Sequence, residues 1–250
     1  MNPLKWLYIV ALVATSVASP VLAQSRSGAN DKGRPAGVNK IRPGLGDDPG
    51  DPEVSPWLPP GVEIDGPITG VDAEEQECEG KSMTVGSGRS VQVCAAFCFN
   101  PEDARWTPTY DANGEPTGRF EFARGFTLIS EYQDGQNGLL VERVRINQPL
   151  PFCAAGGGED EEEEREKFIV QLNMYCLNAK KSPSFDRLQY RAAGVTQDED
   201  LQELLAILDR KQITTQEHKD LVQDAIWEIT EKEGLKPQTR ANLQLLPNKA

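Results

Sequence analysis

Two cysteines four residues apart in one apolar run, VQVCAAFCF at Val91–Phe99, constrain this chain more than any other feature. The run reads as a strand through Val91, Val93 and Cys94, and four residues of strand span about 13 Å, too far for Cys94 and Cys98 to bridge each other. Each must therefore be tied to a segment elsewhere in the chain. Cys78 and Cys153 stand on either side, and two of the three possible connectivities among these four avoid the Cys94–Cys98 pair. The fifth cysteine, Cys176, is left over.

Disulfides imply an oxidising compartment, and the N-terminus agrees. MNPLKWLYIVALVATSVASPVLA has one lysine, Lys5, before an apolar run and a small-residue end, which predicts a signal peptide over 1–23 cleaved after Ala23. The protein is expected to be secreted, periplasmic or at the cell surface. No later stretch reaches the roughly 18 apolar residues of a membrane span. With 26 basic against 39 acidic residues and a formal net charge of −13, nucleic acid and anionic lipid are excluded as natural partners.

Residues 24–70, rich in Gly, Pro, Asp and Ser, lack an apolar period and read as a disordered linker; Trp57 and Leu58 are its one apolar spot. A domain is expected over 71–235. Arg119 to Tyr132 alternates on each side of Gly125, and Leu139 to Ile146 alternates again, so Asp134–Gly138 should turn a hairpin between antiparallel strands. Asp111–Gly114 reads as a loop tip. The run GGGEDEEEERE at 156–166 has oxygen ligands of the kind calcium takes, but its acids are consecutive, so 159–166 is expected to be a solvated acidic loop without metal. Lys167 to Leu177 is the clearest strand: Phe168, Val170, Leu172, Met174 and Cys176 share one face and Gln171, Asn173 and Tyr175 the other.

Thr196 with Glu199, and Thr214 with Glu217, mark two helix starts by capping boxes, and Gly234 marks a stop. Leu201, Leu204, Leu205 and Leu208 stripe the first helix; Leu221, Val222, Ala225, Ile226 and Ile229 stripe the second. The expected architecture is α+β, an antiparallel β-sandwich or barrel-like sheet with a helical hairpin over 196–234 packed on it and a tail of short strand or disorder over 236–250. Gln223 falls on the shoulder of the second stripe, one turn before Trp227.

An inward thiol without a disulfide partner and a carboxamide beside an indole are a reactive combination. Attack of the Cys176 sulfur on the Gln223 side-chain carbonyl would expel ammonia and leave an intramolecular thioester, with Tyr175 and Trp227 shielding it from water.

At these residues the chain resembles the thioester domains of bacterial surface adhesins. Their pattern of an aromatic residue or Leu, then Cys, then an apolar residue is matched by Tyr175-Cys176-Leu177, and their apolar-Gln-x-x-apolar helix by Val222-Gln223-Asp224-Ala225-Ile226. The resemblance covers about Phe168 to Thr230. It implies a β-rich fold with a helical subdomain, Cys176 as the acyl-bearing sulfur and Gln223 as the acyl donor. It also implies a protein partner that offers a lysine amine, and no cofactor.

Two other readings compete. Cys176 could be an inert core thiol or an unrecognised disulfide partner, with Gln223 satisfied by backbone or by Asn178 and Trp227 plain core. The chain would then be a noncovalent, disulfide-stabilised binding or structural module. A thiol hydrolase would pair Cys176 with His218 and orient it with Asp220 or Asp224, but His218 sits in a helix first turn on a polar side, so no enzyme is expected.

Overall fold

The alternation in Val91–Phe99 is realised as a nine-residue strand with Val91, Val93, Ala95 and Phe97 buried and Gln92, Cys94 and Ala96 only partly so. The computed structural model describes residues 40–71, 77–100, 103, 109–110, 116–117, 120–148, 150–153, 167–231 and 233–249. The signal peptide, the tip at 111–114 and the acidic run at 159–166 lie outside the described residues.

In chain order the strands are β1 Val54–Ser55, β2 Val62–Ile64, β3 Ile68–Gly70, β4 Met83–Val85, β5 Val91–Phe99, β6 Thr109–Tyr110 and β7 Pro116–Thr117. They continue as β8 Phe120–Phe122, β9 Phe126–Ser130, β10 Gly138–Leu140, β11 Val144–Ile146, β12 Phe168–Cys176 and β13 Gln189–Thr196. Three helices follow: α1 Glu199–Leu208, α2 Gln216–Thr230 and α3 Pro237–Leu245.

Six strands close a ring in the order β5-β3-β13-β9-β10-β12, with β12 pairing back onto β5 from Phe168↔Phe97 to Met174↔Val91. All the ring pairings are antiparallel. Outside the ring, β4 lies parallel to β12, β2 extends β5 and β1 pairs with β13. The expected α+β class therefore holds, in its barrel-like form. Closure leaves the ring without a free edge that could recruit another chain.

The predicted hairpin joins β9 and β10, with Leu128 opposite Gly138. Its arms do not run straight. Gly125, at φ 85°, donates its N–H to the Leu140 carbonyl at 2.7 Å, and beyond this bend β8 and β11 form a separate ribbon. LLVERVRI is thus two strands, because the chain leaves the ring between Leu140 and Val144.

The wall made by β10 and β12 has apolar groups on both sides. Val91, Val93, Phe97, Phe126, Leu128, Leu140, Val170, Leu172 and Met174 fill the barrel. Leu139, Val141, Tyr175 and Leu177 face outward and meet Leu201, Leu204, Leu205, Leu208, Val222, Ala225, Ile226 and Ile229. Alternation in one strand thereby serves two cores, one inside the ring and one beneath the helices.

Cys78 is bonded to Cys94 and Cys98 to Cys153, which leaves Cys176 free and buried. This selects one of the two connectivities left open by spacing. It staples β5 at two points, one towards the segment before β4 and one towards the segment after β11.

Several local expectations are corrected. Residues 40–70 are not a disordered linker: they carry β1, β2 and β3 and bury Leu45, Val62 and Ile68. Trp57 is half-buried, its ring centroid 3.8 Å from Phe126 and 5.3 Å from Phe122. Composition misleads here because glycines serve tight approaches: a Cβ at Gly46, where φ is 57°, would lie 2.3 Å from the Thr230 carbonyl oxygen. Asp198 rather than Thr196 caps α1, accepting from the Asp200 and Leu201 N–H groups at 3.0 Å, while Thr196 is the last residue of β13. Thr215 rather than Thr214 caps α2 through the His218 N–H. The tail is also helical. Pro237 occupies the first turn of α3, where its missing N–H costs nothing, and Leu243 is buried against the other helices.

Candidate functional site

The site forms where the C-terminal end of β12 meets α2. Burial of Val222, Ala225, Ile226 and Ile229 seats α2 on the sheet, and this rotation turns Gln223 towards the last residue of the strand. Gln223 Oε1 accepts from the Cys176 N–H at 2.9 Å, and Gln223 Nε2 donates to the Cys176 carbonyl at 2.9 Å. The carboxamide thus satisfies both backbone polar groups of one residue, as a neighbouring strand would. The Ser90 hydroxyl lies 3.4 Å from the same Oε1. Gln223 is 8% exposed and Cys176 fully buried.

The Cys176 sulfur accepts from the Asn178 N–H at 3.1 Å. That turn is pinned from three sides. Asn178 Nδ2 donates to the Gly44 and Gly46 carbonyls at 3.3 and 2.9 Å, Asn178 Oδ1 accepts from the Asn137 N–H at 2.9 Å, and the Gly46 N–H bonds the Leu177 carbonyl at 2.9 Å. The segment read as linker is therefore part of the wall behind the thiol.

Burial pushes the Cys176 thiol up to about 11, against the Asn178 N–H, the Trp227 indole and Lys181, which favour the thiolate; Glu231 works with burial. The Trp227 Nε1 is itself buried with no hydrogen bond of regular geometry, so its effect on the sulfur is that of a nearby dipole rather than a formed bond. At neutral pH the group is a thiol. A sulfur in these surroundings is also a poor leaving group, since what disfavours the thiolate disfavours its release.

A groove of about 340 Å³ opens over Gln223, lined among others by Ser90, Tyr175, Gln216, Asp220, Asp224 and Trp227. Tyr175 and Trp227, expected as shields, both line it. Tyr175 is 2% exposed and its hydroxyl lies 2.8 Å from Ser87 Oγ, so its ring is packed in place rather than standing free.

His218 lies in the first turn of α2, and its buried Nδ1 makes no hydrogen bond. A base–nucleophile pair with Cys176 is not formed among the described residues. Glu63, Cys98 and Cys153 bring ligand-type atoms within 4.8 Å of one another, but both sulfurs are spent in their disulfide, so the trio offers no thiolate to a metal.

Ser90, Ser87 and the Gly44–Gly46 backbone were not singled out by pattern as parts of a site, and Asn178, named as a partner for Gln223, instead pins the turn that holds Cys176 while Gln223 is satisfied by backbone. They lie in turns, and no periodicity marks a turn residue whose partner is far along the chain. Comparison of the chain with known protein families, with curated proteins and with solved structures found no match in any of the three.

Proposed function

We propose that the protein is an exported covalent-capture module, in which Cys176 and Gln223 form an intramolecular thioester that acylates an amine, such as a lysine side chain, on a target protein. The observation that carries this reading is the docking of the Gln223 carboxamide, at the floor of an open groove, on the backbone of the free and fully buried Cys176. In forming the bond, the Cys176 sulfur adds to the Gln223 side-chain carbon, the C–N bond breaks, and the thiol proton leaves with the nitrogen as ammonia. Proximity within one packed unit supplies the rate and exclusion of water supplies the lifetime.

Treatment of the native protein with methylamine tests it. The reading expects one methylamide at Gln223 and one newly titratable thiol at Cys176; a Gln223 that stays an unmodified carboxamide in folded protein contradicts it.

A second reading is favoured by the same two hydrogen bonds. A glutamine that pairs both backbone groups of Cys176 is a sufficient structural clamp, and the chain would then be a noncovalent, disulfide-stapled module. It expects a free thiol and an intact carboxamide from the start.

A further inference from the structure

Beneath the groove, a second set of polar groups is wired to Tyr175. Ser87, in the turn between β4 and β5, donates its hydroxyl proton to Glu142 Oε1, and its oxygen lies 2.8 Å from the Tyr175 hydroxyl. A serine has one proton to give. With that proton committed to the carboxylate, the contact between Tyr175 and Ser87 must run the other way, from the tyrosine O–H to Ser87 Oγ. The direction of the chain is then Tyr175 to Ser87 to Glu142, and the lone pairs of the Tyr175 oxygen are left for a donor that enters the groove.

The turn that presents Ser87 is fixed against β12. The Gly88 N–H bonds the Asn173 carbonyl at 3.1 Å, and a Cβ at Gly88 would stand 2.1 Å from the Met174 carbonyl carbon. Glu142 is partly exposed as a residue, but its Oε2 is buried and has no hydrogen-bond partner, so the carboxyl holds spare accepting capacity out of contact with water. Burial raises it above the ordinary carboxyl range, with Ser87 and more distantly Lys249 opposing; burial likewise raises Tyr175, assisted by Glu142 and Asp220. A carboxylate of raised affinity at the inner end of a directed hydrogen-bond chain is a proton acceptor.

We propose that Tyr175, Ser87 and Glu142 conduct a proton away from the amine that opens the Cys176–Gln223 bond, an inference that rests on the thioester reading. A neutral amine attacks the Gln223 acyl carbon, a C–N bond forms, and the C–S bond breaks with its electron pair going to sulfur. The proton shed by the nitrogen passes to the Tyr175 oxygen as the tyrosine proton passes to Ser87 and the serine proton to the Glu142 carboxylate. The products are an amide at position 223, a Cys176 thiolate and a protonated Glu142. The thiolate then takes a proton from solvent and Glu142 returns one. Tyr175 is the catalytic residue of this step, and Ser87 and Glu142 act through it.

The test is the rate of methylamine incorporation, followed by intact mass across the neutral pH range, for wild type, Glu142→Gln, Tyr175→Phe and Ser87→Ala. Each variant is expected to lose ammonia as wild type does, yet to open about 100-fold more slowly, the size of a general-base contribution. Once rates are expressed per unprotonated methylamine, Glu142→Gln should also lose the remaining rise of the wild-type profile with pH, which a merely structural role would leave in place. Ser87→Ala and Tyr175→Phe carry the test if Glu142→Gln does not fold. Variants that contain the thioester and open at the wild-type rate with an unchanged profile overturn the relay alone. Wild type that never loses ammonia overturns the relay together with the thioester reading.

Discussion

Gln223 completes the end of β12 by bonding the N–H and the carbonyl of Cys176, and it does so through the backbone, not the sulfur. The consequence is that the two residues are separable by mutation. Gln223→Ala leaves two buried backbone groups unpaired and should cost about 2–6 kcal/mol in chemical denaturation, at about 1–3 kcal/mol per orphaned group. Cys176→Ala keeps both bonds and should cost less, about 1–2 kcal/mol for the small cavity. Equal losses would mean that the carboxamide does not carry the strand end.

The pH dependence of stability distinguishes a free thiol from a bonded sulfur. Burial raises the folded-state value of Cys176 from the ordinary 9.0 to about 11, so the thiol favours the folded state fully below pH 9. As pH rises from about 9 to about 11 the unfolded chain ionises first, and about 3 kcal/mol is lost at roughly 1.4 kcal/mol per unit. A thioester has no thiol to titrate. Denaturation curves of native protein should therefore lack this loss relative to Cys176→Ala, and methylamine-treated protein should show it.

The Arg42 side chain is fully buried and pairs with both Asp198 and Asp200 at the start of α1. Removing one partner of a buried ion pair costs about 3–5 kcal/mol because the others are left uncompensated. Arg42→Ala should lower the unfolding midpoint accordingly, and so should deletion through residue 48, which also removes the Gly44 and Gly46 carbonyls from Asn178. An unchanged midpoint would return residues 40–48 to the linker.

The two disulfides close loops of different length, with sequence separations of 16 for Cys78–Cys94 and 55 for Cys98–Cys153. On loop-closure entropy the first contributes about 3 kcal/mol and the second about 4 kcal/mol. Paired Cys→Ala replacements, compared by urea midpoints, should rank in that order.

What could be read from residues alone follows from how local the signal is. β12 was legible because strict alternation over nine residues has one solution, and Gln223 stood out because α2 has an apolar stripe that it does not join. Cys176 emerged by counting. The strap at Gly44–Gly46, the Arg42 pair and the Ser87–Glu142 contact were not legible, because each joins segments from 55 to more than 150 residues apart through turns and loops. The same blindness made a linker of β1 to β3: strands of two or three residues are too short to show a period. Caps were misplaced by one or two residues for a related reason. Thr196, Asp198, Thr214 and Thr215 are all competent caps, and the packing of the leucines decides which one the helix uses.

The most direct test is the intact mass of freshly purified, natively folded mature protein beside its Cys176→Ala variant. The account predicts that wild type falls short of the two-disulfide mass by one ammonia and that Cys176→Ala matches its own two-disulfide mass in full. A wild-type chain that carries its full mass, with Cys176 titrating as a thiol once unfolded, would contradict it.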